Sequence, residues 1–284
     1  MKNELLHLKE FYPALGEEGR DPLLECFLPA NLSEMGWENM KRPTLLICPG
    51  GGYTMCSQRE AEPVALPFMT AGFNVFVLTY STAPHHFPVQ LQEVAAALDL
   101  IARRAEEWHC DAGRLAIMGF SAGAHLAAHY ANRYDLPEVR QLISESQPVK
   151  ASILSYPVIT ADPDWSHGPS IERVSGSPSV DETVLAGFSC ERMVTDATPP
   201  AFLWHTVTDG SVPVMNSLLY AEALARHHVP FELHVYPAGR HGLATVDPQT
   251  CFPEDLTGGA ALASRWVSDA CRWLHTILRQ EENL

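Results

Sequence analysis

The residue best suited to covalent chemistry is the serine of the pentapeptide GFSAG at positions 119–123, which fits the pattern G-x-S-x-G. A strand-like apolar run at 114–120 leads into it and an alanine-rich helical pattern at 122–134 follows, which is the context that this motif requires. On such a sharp strand-to-helix turn the serine backbone is strained, and Gly119 and Gly123 leave room for it. The start of the helix adds N–H groups and positive potential. We therefore predict that Ser121 is a nucleophile rather than part of a plain glycine-rich turn.

A serine hydroxyl is a weak nucleophile at neutral pH, so it needs a general base, and the base needs an acid that orients it. His241 follows the strand-like run at 231–236, and Asp209 follows the run at 201–207. Because ligands meet an open α/β sheet at the carboxyl ends of its strands, we expect both side chains to converge on Ser121. The order serine, acid, histidine is the one associated with this motif. A loop histidine and a turn aspartate remain the alternatives.

Three glycines in the segment PGGGY at 49–53 come directly after a strand-like run at 44–48. Backbone N–H groups of such a loop, together with the N–H of Ala122, can stabilise the oxyanion of a tetrahedral intermediate in acyl transfer. Neither a phosphate-binding loop nor a dinucleotide fingerprint is completed, but a purely structural glycine turn stays open. Tyr53 and Phe120 are candidates to line a substrate pocket, although an aromatic residue beside a strand is more often part of the core.

Several histidines are spaced as metal ligands often are. His125 and His129 lie one helical turn apart, yet the glutamate of H-E-x-x-H is missing beside them. The adjacent pairs at 85–86 and 227–228 have no accompanying cluster of acids or cysteines. We therefore expect no metal site, and the chemistry predicted for Ser121 needs no organic cofactor.

Strand-like runs alternate with helical patterns along the chain. The strand-like runs lie at 23–28, 44–48, 74–80, 114–120, 150–156, 201–207 and 231–236, and the helical patterns lie at 59–70, 88–108, 122–134, 214–227 and 259–278. This alternation predicts one α/β domain over 1–284, with a mostly parallel central sheet flanked by helices. Residues 160–200 are rich in Pro, Ser, Gly and Asp, which predicts either a long surface loop or a small cap that shapes a pocket.

The composition limits the possible partners. A chain of 284 residues with a net charge of −15 and 46% apolar residues can fill a large core but repels a nucleic-acid backbone. We therefore expect no nucleic-acid partner. An anionic substrate would meet the same long-range repulsion unless the site is locally basic, so we expect a small neutral substrate. The sequence leaves a homo-oligomer open.

Cysteine usage and hydropathy bear on location. The seven cysteines are odd in number and form no CxxC, which favours a reducing, cytoplasmic environment over a disulfide framework. The N-terminal residues lack the apolar run of a signal peptide. The uncharged stretch at 64–84 contains Pro67 and Gly72, so it indicates a helix end, a turn and a strand rather than a membrane span. We expect no membrane association.

Taken together, these motifs give the chain a resemblance to the α/β-hydrolase superfamily, and more narrowly to bacterial acetyl esterases and lipases close to acetyl-xylan-esterase-like proteins. The matching stretches span positions 43–247 in the right order and are PGGGYTMCSQREAEPVALPF, NVFVLTYSTAP, RLAIMGFSAGAHLAA, TPPAFLWHTVTDGSVPV and PFELHVYPAGRHGLATVD. The resemblance implies the roles of nucleophile, acid and base for Ser121, Asp209 and His241. It also implies that Gly51, Gly52 and Ala122 are the oxyanion donors.

The chain departs from many of these relatives at two positions. Pro49 stands where many have a histidine that helps to hold the glycine loop, so the loop needs another source of rigidity, for which the fixed φ of proline is a candidate. Ala124 replaces a glycine after the motif, a helix-compatible change from which we expect no loss of chemistry.

The expected activity is hydrolysis of carboxylic esters with a short acyl group through an acyl-enzyme, with acetylated carbohydrates as one substrate class. An amidase, peptidase or thioesterase using the same three residues stays open. So does a catalytically silent hydrolase fold that only binds a ligand.

Overall fold

One mixed sheet forms the centre of the protein, and our computed structural model describes residues 2–143 and 146–279. In chain order its strands are β1 (Lys2–His7), β2 (Leu23–Leu28), β3 (Arg42–Cys48), β4 (Asn74–Thr79), β5 (Cys110–Phe120), β6 (Ala151–Ser155), β7 (Ala201–Thr206) and β8 (Phe231–Tyr236). Their spatial order is β1-β2-β4-β3-β5-β6-β7-β8. The six strands from β4 to β8 in this order are parallel, and β2 and β1 extend that edge in antiparallel pairing.

Helices cover both faces of this sheet. They are α1 (Glu62–Thr70), α2 (Val89–Arg103), α3 (Ala122–Arg133), α4 (Pro137–Arg140), α5 (Gly168–Ser175), α6 (Glu182–Phe188), α7 (Met215–Arg226), α8 (Gly258–Ala261) and α9 (Trp266–Ile277). Short 3-10 segments lie at Leu8–Glu10, Pro13–Gly19, Ser33–Met35, Gln58–Glu60, Cys190–Met193, Pro253–Leu256 and Leu262–Arg265. Side chains of α2, α3 and α7 pack in one apolar core and those of α1 and α9 in another.

The inner strands explain why the sheet lies between two cores. Leu46 of β3 packs in one core, whereas its neighbours Leu45 and Ile47 pack in the other, as the alternation of side chains along a strand requires. All three are fully buried. Burial on both faces is the condition under which parallel strands become continuous apolar runs, and the predicted α/β fold is confirmed.

The observed elements differ from the predicted ones at several places, including the following three. β1 was not predicted, because it pairs at the sheet edge and buries Leu6 while Leu5 is exposed, which leaves a weak apolar signal. The helix predicted at 88–108 ends earlier, at Arg103. The pattern at 259–278 is divided into α8, a 3-10 segment and α9, starting from Gly258, which has φ +61°.

The irregular segment at 160–200 contains α5, α6 and the 3-10 turn Cys190–Met193. A small apolar cluster joins it to the end of the sheet: Ile171 of α5 and Val184 of α6 pack with Val212, which follows β7. This segment therefore lies beside the loop that carries Asp209. Among the described helices, none is both long and apolar enough to cross a membrane.

Candidate active site

Ser121 occupies the turn between β5 and α3 in a strained backbone conformation, with φ +52° and ψ −118°. Backbone hydrogen bonds to the end of β6 and to the segment after it help to hold it there. Its N–H donates to the carbonyl of Ser155 over 3.0 Å, and its carbonyl accepts from the N–H of Val158 over 3.1 Å. A positive φ is costly for a non-glycine residue, so the adjoining strand β6 stabilises a turn that would otherwise relax.

The two glycines of the motif let the chain fold this tightly. A Cβ atom on Gly119 would lie 2.2 Å from the carbonyl oxygen of Gly123. A Cβ atom on Gly123 would lie 2.1 Å from the carbonyl oxygen of Cys48, the last residue of β3. Only residues without a side chain allow α3 to start this close to the sheet.

Ser121, His241 and Asp209 form a continuous chain of hydrogen bonds. The Nε2 atom of His241 is 2.8 Å from the Ser121 Oγ atom, and its Nδ1 atom is 2.7 Å from the Asp209 Oδ2 atom. Because a carboxylate only accepts hydrogen bonds, Nδ1 carries the proton in the neutral imidazole and Nε2 accepts from the serine hydroxyl. The hydrogen-bond geometry is therefore that of a serine paired with a general base.

The Asp209 carboxylate is buried and fully engaged. Its Oδ1 atom accepts from the N–H groups of Ser211 and Val212, each over 2.9 Å. Burial by itself would raise the pKa of Asp209, but hydrogen bonds from His205 and His241, the electrostatic interaction with His241 and the backbone donor of Val212 together hold this pKa below its usual value. Asp209 is thus an anion whose orientation is set by the turn after β7.

The glycine loop at 49–53 lies beside Ser121, and hydrogen bonds from other parts of the chain hold it in place. Gly51 and Gly52 line the same cavity as Ser121, and Ala122 is the first residue of α3, where an N–H has no acceptor within the helix. The loop's rigidity has two sources beyond Pro49 itself. The Tyr80 hydroxyl donates to the Pro49 carbonyl over 2.7 Å, and the N–H of Gly50 donates to the carboxylate of Glu60.

Glu60 was not predicted as a site residue, because neither the glycine loop nor the G-x-S-x-G motif contains it. Its Oε2 atom accepts from the Gly50 N–H over 2.8 Å, and its Oε1 atom accepts from the Tyr156 hydroxyl over 2.6 Å. The same hydroxyl accepts from the N–H of Ala244 over 3.0 Å. Burial raises the pKa of Glu60, and these hydrogen bonds offset part of that effect. A buried carboxylate thus joins the glycine loop to the loop that carries His241.

The cavity at this site has a volume of about 400 Å³, a size typical of small-molecule sites. Ser121 and His241 lie on its wall, together with Arg59, Glu60, His167 and Arg173. The last two come from the segment at 160–200, and burial lowers the pKa of His167. Arg173 also donates to the Gly52 carbonyl over 3.1 Å, so this segment contacts the glycine loop directly.

Tyr53 and Phe120 do not line this cavity, so their prediction as pocket residues is wrong. Both are fully buried. Phe120, the last residue of β5, packs its ring against Tyr156 and Trp266 on the α9 side of the sheet. The Tyr53 hydroxyl lies 2.9 Å from the Nδ1 atom of His125. The direction of a side chain after a strand depends on the backbone turn, which the residue type does not reveal.

His125 belongs to a structural network. Its Nε2–H donates to the carbonyl of Phe188 over 2.9 Å, so its Nδ1 accepts from the Tyr53 hydroxyl. Burial lowers the pKa of His125 to about 4, which keeps the ring neutral in this arrangement. Within residues 2–143 and 146–279, no group of three or more His, Cys, Asp or Glu side chains is arranged to hold a metal ion.

Comparisons with known sequences identify the family to which this chain is similar. The BD-FAE family model matches residues 34–224. The chain is 37% identical to Endo-1,4-beta-xylanase B of Butyrivibrio fibrisolvens over 82% of its own length and 37% of that protein. It is 29% identical to an acetylxylan esterase of Xylanibacter ruminicola over 82% of its length and 46% of that protein. The chain thus spans less than half the length of these two relatives.

Solved structures extend the comparison to nearly the whole chain. An acetyl ester-xyloside bifunctional hydrolase from Caldicellulosiruptor lactoaceticus shares 32% identity with a TM-score of 0.80, covering 96% of each chain. A carboxylesterase from Lactobacillus plantarum shares 31% identity with a TM-score of 0.82, covering 99% of this chain and 100% of that one. The resemblance inferred from the motifs is confirmed: this chain has the α/β-hydrolase fold and belongs to the BD-FAE family.

Proposed function

We propose that this protein is a serine hydrolase that cleaves carboxylic esters with a short acyl group through an acyl-enzyme intermediate. The observation that carries the proposal is the hydrogen-bonded chain from Asp209 through His241 to Ser121, which opens onto a cavity beside the glycine loop. The similarity to a solved carboxylesterase and to an acetylxylan esterase supports the ester as substrate class.

In the acylation half-reaction, the Ser121 Oγ atom attacks the ester carbonyl carbon while its proton passes to the Nε2 atom of His241. Asp209 stabilises the resulting imidazolium through Nδ1. The carbonyl oxygen becomes an oxyanion, and we assign its stabilisation to the N–H groups of Gly51, Gly52 and Ala122. The intermediate collapses, the C–O bond to the alcohol breaks, and the alcohol leaves with the proton from His241.

In the deacylation half-reaction, His241 removes a proton from a water molecule, which attacks the acyl carbon on Ser121. This attack forms a second tetrahedral intermediate, whose oxyanion is stabilised by the same N–H groups. Its collapse breaks the bond to the Oγ atom, which regains its proton from His241, and releases the carboxylic acid. The similarity to an acetylxylan esterase and to an acetyl ester-xyloside hydrolase favours acetylated carbohydrates as the substrate class.

The test is Ser121→Ala, assayed with a short-chain nitrophenyl ester. We expect kcat to fall by roughly 10³-fold or more with folding intact, because the nucleophile is removed. Ser268→Ala, at an exposed serine of α9, is the control and should keep full activity. A fluorophosphonate probe should label wild-type Ser121, since it reports an activated serine. Undiminished hydrolysis by Ser121→Ala would refute the assignment, and absent labelling would favour a non-catalytic binding module.

A second candidate is amide cleavage by the same residues. The chain is 28% identical to the acylamino-acid-releasing enzyme of Rattus norvegicus over 66% of its length and 24% of that protein. A panel of matched acetyl esters, anilides and thioesters separates the possibilities. We expect the acetyl esters to have the highest kcat/KM, and faster turnover of anilides would favour the amidase.

We also propose that the protein works in a reducing compartment such as the cytoplasm. All seven cysteines are free thiols, and four of them, Cys26, Cys48, Cys110 and Cys190, are fully buried. Burial raises the pKa of these four thiols, which disfavours the reactive thiolate.

A further inference from the structure

Two arginines on the cavity wall indicate that the substrate carries a negative charge. Building on the proposed ester hydrolysis, we infer that the alcohol portion of the substrate carries a carboxylate, which Arg173 and Arg59 bind beside Ser121. The acyl group is short and meets the serine, so the anionic group belongs to the part of the ester that leaves.

Each of these guanidinium groups is fixed in place by backbone carbonyls. Arg173 donates through Nη1 to the carbonyl of Gly52 over 3.1 Å. Arg59 donates through Nη1 to the carbonyls of Gly242 and Thr250 over 2.8 and 3.2 Å. These bonds hold one positive charge at the glycine loop and the other at the loop of His241. Carbonyl oxygens orient a guanidinium without neutralising it, and each arginine keeps further N–H donors.

No carboxylate of the described part of the chain forms an ion pair with Arg59 or Arg173. Other arginines are paired, as Arg240 is with Asp255 and Arg226 is with Glu222. The two arginines at the cavity therefore present positive charge to whatever enters it.

The acidic groups at the site cancel only part of this charge. Glu60 also lines the cavity, and its charge opposes that of Arg59. It is only 3% exposed, and its two oxygens accept from the Gly50 N–H and the Tyr156 hydroxyl. Asp209 is engaged by His241 beneath the cavity. Among the residues that line the cavity, two arginines stand against one glutamate, so its wall is formally positive although the whole chain carries a charge of −15. A basic site is the exception that the sequence-based expectation of a neutral substrate allowed, and it is the reason why we infer an anionic substrate instead.

A carboxylate fits these donors better than a neutral polar group does. The planar fork of a guanidinium matches the two oxygens of a carboxylate, and such charge-assisted hydrogen bonds are about twice as strong as neutral ones. Desolvation in a partly enclosed cavity strengthens the interaction further.

The test compares 4-acetoxybenzoate with its neutral methyl ester, each kcat/KM being normalised to the rate of hydroxide-catalysed hydrolysis. We expect wild type to prefer the anionic ester by roughly tenfold or more, mainly through KM. Arg173→Gln and Arg59→Gln keep an N–H donor for the backbone carbonyls but remove the charge. Each should reduce the ratio of kcat/KM for the anionic ester to kcat/KM for the neutral ester several-fold. The ratio is compared within each variant because the same arginines also hold the glycine loop and the loop of His241. Arg226→Gln makes the same change in net charge on α7 and should leave the preference unchanged.

A measurement on the wild type alone guards against variants that fold poorly. 4-Hydroxybenzoate should inhibit hydrolysis of the neutral ester more strongly than its methyl ester does, and added NaCl should weaken that inhibition. Equal normalised kcat/KM for the two esters, or equal inhibition by the two phenols, would overturn the inference while ester hydrolysis stands. If neither ester is cleaved and Ser121 is not labelled by fluorophosphonate, the proposed function itself fails.

Discussion

Two buried polar residues, Glu60 and Tyr156, help to set the positions of the loops that carry the catalytic candidates. Glu60 accepts from Gly50 on one side, and on the other it is linked through the Tyr156 hydroxyl to the N–H of Ala244. The Tyr156 ring also lies 5.0 Å from the ring of His241, between centroids. One hydroxyl therefore couples the position of the glycine loop to that of the histidine loop, which makes Tyr156 and Glu60 positioning residues.

Tyr156→Phe tests this coupling. The change leaves the Ala244 N–H and one Glu60 oxygen without their partner in a buried region, so we expect a stability loss of about 2 kcal/mol or more. We also expect kcat to fall about tenfold with KM little changed, measured by steady-state kinetics beside urea unfolding. Tyr130→Phe is the matched control, because this buried hydroxyl donates to the Gln147 carbonyl away from the site. A similar loss of kcat in both variants would show that Tyr156 acts only through stability.

At the scale of elements, three segments distant in sequence meet around the start of α3. The Tyr53 hydroxyl and the Phe188 carbonyl are joined by the ring of His125, so the glycine loop, α3 and α6 share one hydrogen-bond network. The close approach of Gly123 to Cys48 brings α3 against β3 at the same place. The position of Ser121 thus depends on how tightly a helix can meet the sheet.

Gly123→Ala measures that dependence. The added methyl group would lie 2.1 Å from the Cys48 carbonyl oxygen, so α3 must shift, and we expect a stability loss of about 3 kcal/mol with severe loss of activity. Gly187→Ala in α6 is the control, because a Cβ atom there meets nothing within 4 Å. It should be neutral or stabilising by up to about 1 kcal/mol. Equal unfolding midpoints in urea for Gly123→Ala and wild type would contradict the packing argument.

At the scale of the whole molecule, one buried acid makes stability depend on pH. Glu93 of α2 accepts from the N–H and the hydroxyl of Ser81 over 2.6 and 2.5 Å. Burial raises its pKa from 4.5 to about 7, although the hydrogen bonds oppose the shift. Between these two values the folded protein keeps a proton that the unfolded chain releases. Stability therefore falls as pH rises through this window.

Glu93→Gln should remove that part of the pH dependence. From the shift, the contribution of Glu93 between pH 4.5 and pH 7 is about 3 kcal/mol. We expect the variant to gain stability relative to wild type as pH rises from 5 to 8, measured as the free energy of unfolding in urea. Glu34→Gln, at an exposed residue, should have the same pH dependence of the free energy of unfolding as wild type from pH 5 to pH 8. Parallel curves for wild type and Glu93→Gln would exclude this role.

The sequence predicted the parts of this structure that local signals determine. Ser121 follows a strand and precedes a helix, and Asp209 and His241 follow strand ends, so the alternation of elements sufficed to bring the three together within hydrogen-bond distance. Local patterns do not reveal Arg173, which reaches the Gly52 carbonyl across 121 positions of the chain. Glu60 looks like an ordinary acidic residue at the start of a helix.

The position of β5 has a consequence for hydrogen exchange. This strand pairs with β3 on one side and β6 on the other, with three further strands beyond β3 and two beyond β6. Its amide protons become accessible only when the whole sheet opens, whereas short helices such as α5 and α6 open locally. Exchange measured by mass spectrometry should therefore be slowest at 115–119 and much faster at 168–188. We therefore expect the residue before the nucleophile to stay protected while the part of the cavity wall formed by α5 opens locally.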